Sequence, residues 1–222
     1  MEKGFVKIDW NRIEEYSEEE ISYFLFLEGK TIDVISKIRN KDKSEVQRHI
    51  IDGKIKYRFL AESNNSEELF RKIAKAGKQD KIDFLNSMTK DTKDELVTYI
   101  KNNYVDMSGK EKETAVWILG EMKYTDCFDI LTKASVHNHV NVRRMAASAM
   151  GKIGVIKFET ILLRLLDDTN PQVVLYAIKS LDRIGSTVAY NKIKELSTRT
   201  DKKYIKEAAE AFCNGKTESE RK

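Results

Sequence analysis

The chain has 222 residues, 34% of them charged and 41% hydrophobic, and its formal net charge is +4. This balance is typical of a helix-rich protein that dissolves in water, and no apolar run approaches the roughly 18 residues that a membrane span needs. Strong helix formers, a single proline and the lack of alternating segments therefore predict an all-α fold with no membrane contact.

Cysteine usage and the first residues indicate the cellular setting. Cys127 and Cys213 both fall in helical patterns, which fits two reduced thiols better than a disulfide. The opening stretch MEKGFVKIDW lacks the apolar core of a signal peptide. We therefore expect a cytoplasmic protein.

Charge is distributed unevenly over the first 60 residues. Residues 1–28 carry three basic and eight acidic side chains, a net charge of −5. Residues 29–60 carry nine basic and four acidic side chains, a net charge of +5. The overall charge of the chain hides this local contrast, which is a candidate electrostatic feature.

Residues 18–51 have the pattern of three short helices. The first spans 18–28 and stops at a glycine, and the second spans 31–39 with a threonine cap. Asn40 follows where a left-handed turn residue is needed, and Ser44 is the expected cap of the third helix. Three side chains of that helix are predicted to point inward: Val46, His49 and Ile50. This order of helices and turns predicts a helix-turn-helix module.

The stretch EGKTIDVISKIRNKDKSEVQRHI, residues 28–50, resembles the small helix-turn-helix domain at the C-terminus of RecQ-type helicases. The shared features are the opening motif EGKTI, an Ile-Ser pair and the closing motif SEVQRHI. Two positions depart from that pattern, because Asn40 replaces the usual turn glycine and Lys41 replaces an apolar residue. The lysine predicts a module that is looser, or docked differently, than its relatives.

A helix-turn-helix places its third helix in the major groove of DNA, where polar side chains meet bases and phosphates. The candidate DNA-binding residues lie along or just after this helix: Lys43, Ser44, Gln47, Arg48, Lys54, Lys56 and Arg58. Glu45 and Asp52 would repel phosphate, and many trihelical modules contact only protein. DNA contact and protein contact therefore both stay open for this module.

A 31-residue period runs through the second half of the chain, after further amphipathic helices of poorer register at 66–107. The segments HVNVRRMAASAMGKIG at 139–154 and NPQVVLYAIKSLDRIG at 170–185 align without gaps. The matched columns pair Val142 with Val173, Ala146 with Ala177, Met150 with Leu181, Ile153 with Ile184 and Gly154 with Gly185. One period later the same slots hold Tyr204, Ala208 and Phe212. A fixed period of this kind predicts stacked helical hairpins.

Each period divides into an A helix and a B helix of about a dozen residues. The A-helix positions repeat at the same interval: Leu131, Leu162 and Ile193. Gly154 and Gly185 suit a left-handed stop after a B helix. Asn170 and Pro171 suit a B-helix start, with the asparagine as cap and the proline at the first helical position.

The B-helix pattern Val-Arg-Arg-x-Ala-Ala-x-Ala-x-Gly-x-Ile-Gly, residues 142–154, resembles HEAT repeats, specifically the short HEAT-like repeats of phycobilin lyases. The resemblance covers roughly 108–215. It implies a right-handed α-solenoid of helical hairpins, joined here to the N-terminal trihelical module. We place the module at 1–60, the solenoid at 61–216 and a disordered tail at 217–222.

Solenoids of this kind usually bind other molecules and leave them unchanged, so the exposed B-helix positions are the candidate site. Trp117, Arg144 and Lys179 lie off the Ala/Leu core stripe and suit anchors for a partner. We predict that they contact a protein partner across a concave B-helix surface. For Trp117 the alternative is packing within the array.

The residues that often signal catalysis or metal binding have simpler interpretations here. His137 and His139 lie two apart in a predicted loop with Cys127 upstream, and no fourth ligand completes a zinc site. Asp168 is expected to pair with Arg143 or Arg144 of the adjacent hairpin. Gly151 and Gly154 lack the preceding strand that a dinucleotide-binding motif requires. The sequence therefore predicts no enzyme activity, cofactor, metal or small-molecule substrate.

One enzyme family shares the predicted architecture. Alkylpurine DNA glycosylases of the AlkD type are basic HEAT-like solenoids of similar length that use a catalytic Asp flanked by Trp. Trp10 and Trp117 match no Asp in that motif. We expect a non-catalytic HEAT-repeat scaffold, with DNA-associated regulation through the module as a further role and glycosylase activity as the alternative.

Overall fold

The structure, a computed structural model, describes residues 2–215; the tail predicted at 217–222 lies outside the described residues. Over this range the predicted all-α fold is confirmed. The exception is a short antiparallel hairpin in which two strands of two residues each, β1 (Glu2–Lys3) and β2 (Val6–Lys7), pair with each other. No helix in the described range is both long and apolar enough to cross a membrane.

The chain divides into two compact units, one ending at Tyr99 and the other beginning at Ile100. The boundary that the sequence suggested, at 60–61, lies at the end of a helix inside the N-terminal unit. After a short 3-10 helix at Trp10–Glu15, the helices of this unit are α1 Glu18–Leu27, α2 Ile32–Arg39, α3 Lys43–Ala61, α4 Ser66–Lys75, α5 Lys78–Ser87 and α6 Lys90–Asn103, the last of which crosses into the second unit.

Helices α1, α2 and α3 pack together as the predicted trihelical module. Its small core contains Ile35, Val46 and Ile50, and His49 is also buried, as its inward position predicted. The turn between α2 and α3 is left-handed at Asn40, with φ of 48°, again as predicted.

The predicted start of α3 was wrong by two residues. Asp42 occupies the N-cap position and its carbonyl accepts the first helical hydrogen bond, from the amide of Val46 at 3.0 Å. Ser44 therefore lies exposed in the first turn and caps nothing. Lys41 is held by two carboxylates, with its Nζ 2.7 Å from Glu45 and 3.4 Å from Glu18. These ion pairs satisfy the lysine at the position where the RecQ-type pattern has an apolar residue.

The C-terminal unit is the predicted solenoid. Its helices are α7 Gly109–Glu121, α8 Phe128–Ser135, α9 Val140–Ile153, α10 Glu159–Leu165, α11 Pro171–Arg183, α12 Tyr190–Arg199 and α13 Lys203–Asn214, with a 3-10 turn at Ile156–Phe158. The B helices α7, α9, α11 and α13 contact one another in series. The A helices α8, α10 and α12 pack against the B helices that follow them.

The predicted caps of the B helices are confirmed. Asn170 accepts a hydrogen bond from the amide of Gln172 at 2.9 Å, and Pro171 begins α11. Gly154 and Gly185 are left-handed, with φ of 75° and 73°. A side chain would be strained at these φ values, which is why glycine ends these helices.

Small residues let consecutive B helices approach closely. Ala146 and Ala177 are fully buried. A Cβ on Gly120 would lie 2.8 Å from Ala149, and a Cβ on Gly151 would lie 2.3 Å from the hydroxyl of Ser180. A glycine packed against a small residue, repeated once after 31 residues, therefore sets the close spacing of α7, α9 and α11.

The predicted register was wrong at two of its three positions in the last repeat. Phe212 is buried as predicted, but Tyr204 is 36% exposed and Ala208 only half-buried, and Ile205 and Ala209 are buried in their place. Only one face of α13 packs, because no B helix follows it among the described residues. In addition, Asp182 stands where Gly120 and Gly151 stand in earlier repeats, so α13 has no glycine to pack against closely.

Candidate functional site

The B helices present one continuous line of side chains away from the core. Positions three and four apart share a helix face, and the 31-residue period repeats each position on the next helix. We call this surface the B-helix strip; it comprises Glu113, Trp117, Glu121, Arg144, Met145, Lys152, Leu175, Tyr176, Lys179 and Arg183. None of these side chains belongs to the buried core.

The three residues predicted to bind a partner all lie on this strip. Trp117 and Arg144 are half-buried and Lys179 is exposed. The guanidinium of Arg144 lies 5.3 Å from the ring centre of Tyr176 on the next B helix, a cation–π distance. The structure therefore places an aromatic ring beside the predicted arginine.

Part of this surface was not predicted from the sequence. Arg183 lies one helical turn beyond Lys179, and Met145, Leu175 and Tyr176 provide half-buried apolar area. The 31-residue alignment contained the necessary signal. Leu175, Tyr176 and Arg183 each occupy a slot that holds a half-buried residue on the preceding B helix: Arg144, Met145 and Lys152.

The middle of the strip is electropositive. On α9 and α11 the strip contains four cations and no carboxylate: Arg144, Lys152, Lys179 and Arg183. Lys152 pairs with Glu121 of α7. Within the described residues, the other three form no ion pair with a carboxylate. Unpaired cations on one surface create a local positive potential that attracts anionic groups.

Asp168 has a structural role that the sequence predicted. It accepts two hydrogen bonds from Arg143, at 2.6 Å from Nε and 3.0 Å from Nη2, and a third from the amide of Asn170 at 2.8 Å. Burial by itself would raise the pKa of Asp168, but the hydrogen bonds from Arg143 and Asn170 outweigh it and lower the pKa. One period earlier the same slots hold Lys112 and His137, so the pair does not recur there.

The histidine and cysteine candidates do not assemble into a metal site. The described residues contain no group of three His, Cys, Asp or Glu side chains that could hold a metal ion. His137 stacks on His139 with ring centres 5.2 Å apart, and burial together with nearby Lys112 lowers its pKa. Cys127 is buried, which raises the pKa of its thiol to about 12.

The DNA-binding candidates of the N-terminal unit do not converge on one face. With about 100° of rotation per residue, Lys54 and Lys56 lie about 160° apart around α3. The Nζ of Lys54 lies 4.9 Å from the Phe26 ring centre, and Lys56 forms an ion pair with Glu20 of α1 at 2.8 Å.

Other basic candidates on α3 are also close to carboxylates. Lys43 is 2.8 Å from Asp33, and Arg58 is 2.8 Å from Asp80. Arg48 forms no ion pair with a described residue. Its charge still acts on Glu45, whose pKa is lowered first by the hydrogen bond from Lys41 and to a smaller extent by Arg48.

The exposed face of α3 mixes polar and apolar side chains. Ser44, Gln47 and Arg48 are exposed there, as a groove-reading helix requires. Ile51 and Ile55 share that face and are 57% and 66% exposed. These two isoleucines were not among the predicted site residues, and they suit contact with protein better than contact with phosphate.

The chain also matches a known protein family over part of its length. Residues 100–160 match the model of HEAT repeats, and no curated protein matches the chain. The matched range covers the first hairpins of the solenoid and supports a HEAT-repeat protein, in agreement with the predicted resemblance. It does not reach residues 28–50, so the resemblance to the RecQ-type module stays a prediction.

Proposed function

We propose that this chain is a non-catalytic HEAT-repeat scaffold that binds a protein partner through the B-helix strip. The observation that carries the proposal is the combination, on one surface, of half-buried aromatic rings with three cations that no described carboxylate pairs: Arg144, Lys179 and Arg183. Arginine, tryptophan and tyrosine are enriched among the residues that dominate binding energy at protein interfaces.

A site-specific photo-crosslinker tests this proposal. It is placed at Gln172, an exposed strip-side residue of α11, and at Asn191 of α12 as the matched control. Both are exposed, uncharged amides on neighbouring helices. Only Gln172, seven residues before Lys179, shares a helix face with the strip residues of α11. We expect a defined crosslinked protein from Gln172 in native extract and none from Asn191. Equal or absent crosslinking at the two positions would contradict the proposal.

Alanine substitution identifies the side chains responsible. Replacing Trp117, Arg144 and Lys179 together should abolish the Gln172 crosslink while the thermal unfolding midpoint changes little. If the triple variant unfolds early instead, these side chains contribute to the fold, and the strip was assigned wrongly as a binding surface. A circular-dichroism melt of the same sample distinguishes the two cases.

Duplex DNA contact through α3 is a second candidate function of this scaffold. Ser44, Gln47 and Arg48 favour it because they are exposed on the face that would enter the groove. The ion pairs of Lys43, Lys56 and Arg58 reduce the positive charge that is available to phosphate. Crosslinking or pull-down with and without nuclease separates a DNA-dependent partner from a direct one.

Glycosylase activity of the AlkD type stays the enzymatic alternative. It requires a catalytic Asp beside Trp, whereas the carboxylates of the strip are the glutamates Glu113 and Glu121. Glu121 is already paired with Lys152. Incubation of the chain with alkylated duplex DNA should therefore release no free base, and measurable release would favour the enzymatic alternative.

A further inference from the structure

We infer that the partner segment bound by the B-helix strip is an acidic peptide that also carries apolar side chains. This inference rests on the proposed function and specifies the chemistry of the partner. Its first support is charge. On α9 and α11 the strip contains cations and no carboxylate, and only Lys152 is neutralised, by Glu121 of the preceding helix.

The positive charge is confined to the middle of the strip. The first B helix contributes Glu113 and Glu121 to the strip, and the matching slots of α13, the next B helix after α11, hold Lys206, Glu207 and Glu210. Asp182 of α11 stands in the slot of the packing glycines, is exposed three residues after Lys179, and borders the strip on the side of α13. A long polyanion that follows the strip across all four helices would meet the glutamates at both ends. A short acidic segment centred on α9 and α11 would meet mainly cations.

The spacing of the cations fits carboxylates on a peptide. Lys179 and Arg183 are four residues apart on α11, which corresponds to about 6 Å along the helix axis. Arg144 lies on the neighbouring B helix, about 8–10 Å across for packed helices. Carboxylates at alternate residues of an extended peptide, about 6.6–7 Å apart, match the first distance.

The apolar side chains of the strip favour a peptide ligand over a nucleic acid. Met145 and Leu175 are half-buried beside the cations, and aliphatic groups gain nothing from phosphate, whereas they bury area against an apolar side chain. One face of the Tyr176 ring is occupied by Arg144, so that face is not free to stack on a base. The surface therefore combines anion attraction with apolar contact.

The test uses the purified full chain and fluorescein-labelled probes in an anisotropy titration. The probes are 16-residue peptides of alternating Glu and Leu, Glu and Ser, and Lys and Leu, together with a 16-nucleotide oligothymidylate. We expect the Glu/Leu peptide to bind most tightly and the Glu/Ser peptide on the order of tenfold more weakly. Binding should weaken with added salt because the strip is exposed.

A charge-reversal pair locates the binding. The double variant Lys179→Glu, Arg183→Glu should bind the Glu/Leu peptide on the order of tenfold or more weakly than the wild type does. Lys194→Glu with Arg199→Glu, on the A helix α12, changes the net charge equally and should have an effect below about twofold. Both sites are exposed, so folding is expected to survive in each variant, and a melt verifies it.

The outcomes separate this inference from the proposed function. Tighter binding of the Lys/Leu peptide or of oligothymidylate, or equal effects of the two double variants, would overturn the inference. If a partner crosslinks at Gln172 but the Glu/Leu peptide does not bind, the scaffold function holds and the chemistry assigned to the partner is wrong. If neither occurs, both are wrong.

Discussion

Two groups of basic residues in this chain look alike in sequence and differ in the structure. Lys43, Lys56 and Arg58 of α3 each lie 2.8 Å from a carboxylate of another helix. Arg144, Lys179 and Arg183 of the B-helix strip have no such partner among the described residues. A cluster of basic residues thus becomes a positive surface only where the fold leaves its members unpaired.

The difference follows from which segments pack together. The acidic segment 1–28 contributes α1, and α1 packs on α2 and α3 from the basic segment 29–60. Glu18 pairs with Arg39 and Lys41, and Glu20 pairs with Lys56. The two charge blocks of the sequence are thus paired in part within the module, and Arg48 and Lys54 form no ion pair with a described carboxylate. On the strip, α9 and α11 lie side by side and both contribute cations.

The largest loss of stability is expected when a charged side chain is placed on the buried face of α11. Ala177 is fully buried, while Lys179, two residues later, is exposed. Ala177→Glu should lower the free energy of unfolding by about 3–5 kcal/mol because it buries an unpaired charge. Lys179→Glu on the same helix is the control and should change it by less than about 0.5 kcal/mol. Urea unfolding of both variants measures this, and similar values would contradict the assigned helix faces.

A second prediction tests the close packing of α9 on α11, which keeps the strip continuous across these two helices. In Gly151→Ala the new Cβ would lie 2.7 Å from Cβ and 2.9 Å from Cα of Ser180. Neither atom can move without shifting a helix, so we expect the free energy of unfolding to fall by about 1–3 kcal/mol. Ser148→Ala, one turn earlier, is the matched control. Thermal melts in which Gly151→Ala is as stable as the control would show that the helices separate at little cost.

The third prediction concerns a charge pair that the solenoid does satisfy. Asp168→Asn should cost about 1–2 kcal/mol at neutral pH because Arg143 loses a charged acceptor. The pKa of Asp168 is lowered in the folded state, so its contribution is complete above the unfolded value of about 4 and is lost as the pH falls through the lowered pKa. The difference between wild type and variant should therefore shrink in acid, and a constant difference in urea midpoints would contradict the pairing.

The mildest change is expected from neutralising charges within the module. If α3 binds DNA, replacing Lys43, Arg48, Lys54 and Lys56 together by alanine should reduce the salt slope by roughly one unit for each phosphate that is no longer neutralised. Because Lys43 and Lys56 are paired, most of the change should come from Arg48 and Lys54. Duplex anisotropy at two salt concentrations measures it.

Asp33→Asn complements this test because it frees Lys43 without adding a cation to the chain. Duplex affinity should rise slightly if pairing is what limits α3, while the same change should leave binding to the strip unaltered. No duplex binding by the wild type at low salt would leave the module as a protein-docking domain, a role that fits its exposed Ile51 and Ile55.

Features that depend on local chemistry or on the repeat could be predicted from the amino-acid sequence. The period predicted the B helices and their buried alanines, Gly154 and Asn170 marked helix ends, and Asn40 marked a left-handed turn. These features recur or act within a few residues, so each is written in a short stretch of sequence. Trp117 and Arg144 could be assigned to the strip for the same reason.

The packed structure was needed to show which charges pair and where the repeat fails. Glu20 and Lys56 are 36 residues apart, and Coulomb attraction depends on their separation in space, which local sequence does not reveal. The shift to Ile205 and Ala209 in α13 likewise follows from a neighbour: one face of this helix has no following B helix among the described residues, and Asp182 replaces glycine in the helix before it. Burial and pairing are properties of neighbouring helices, so they were settled by packing.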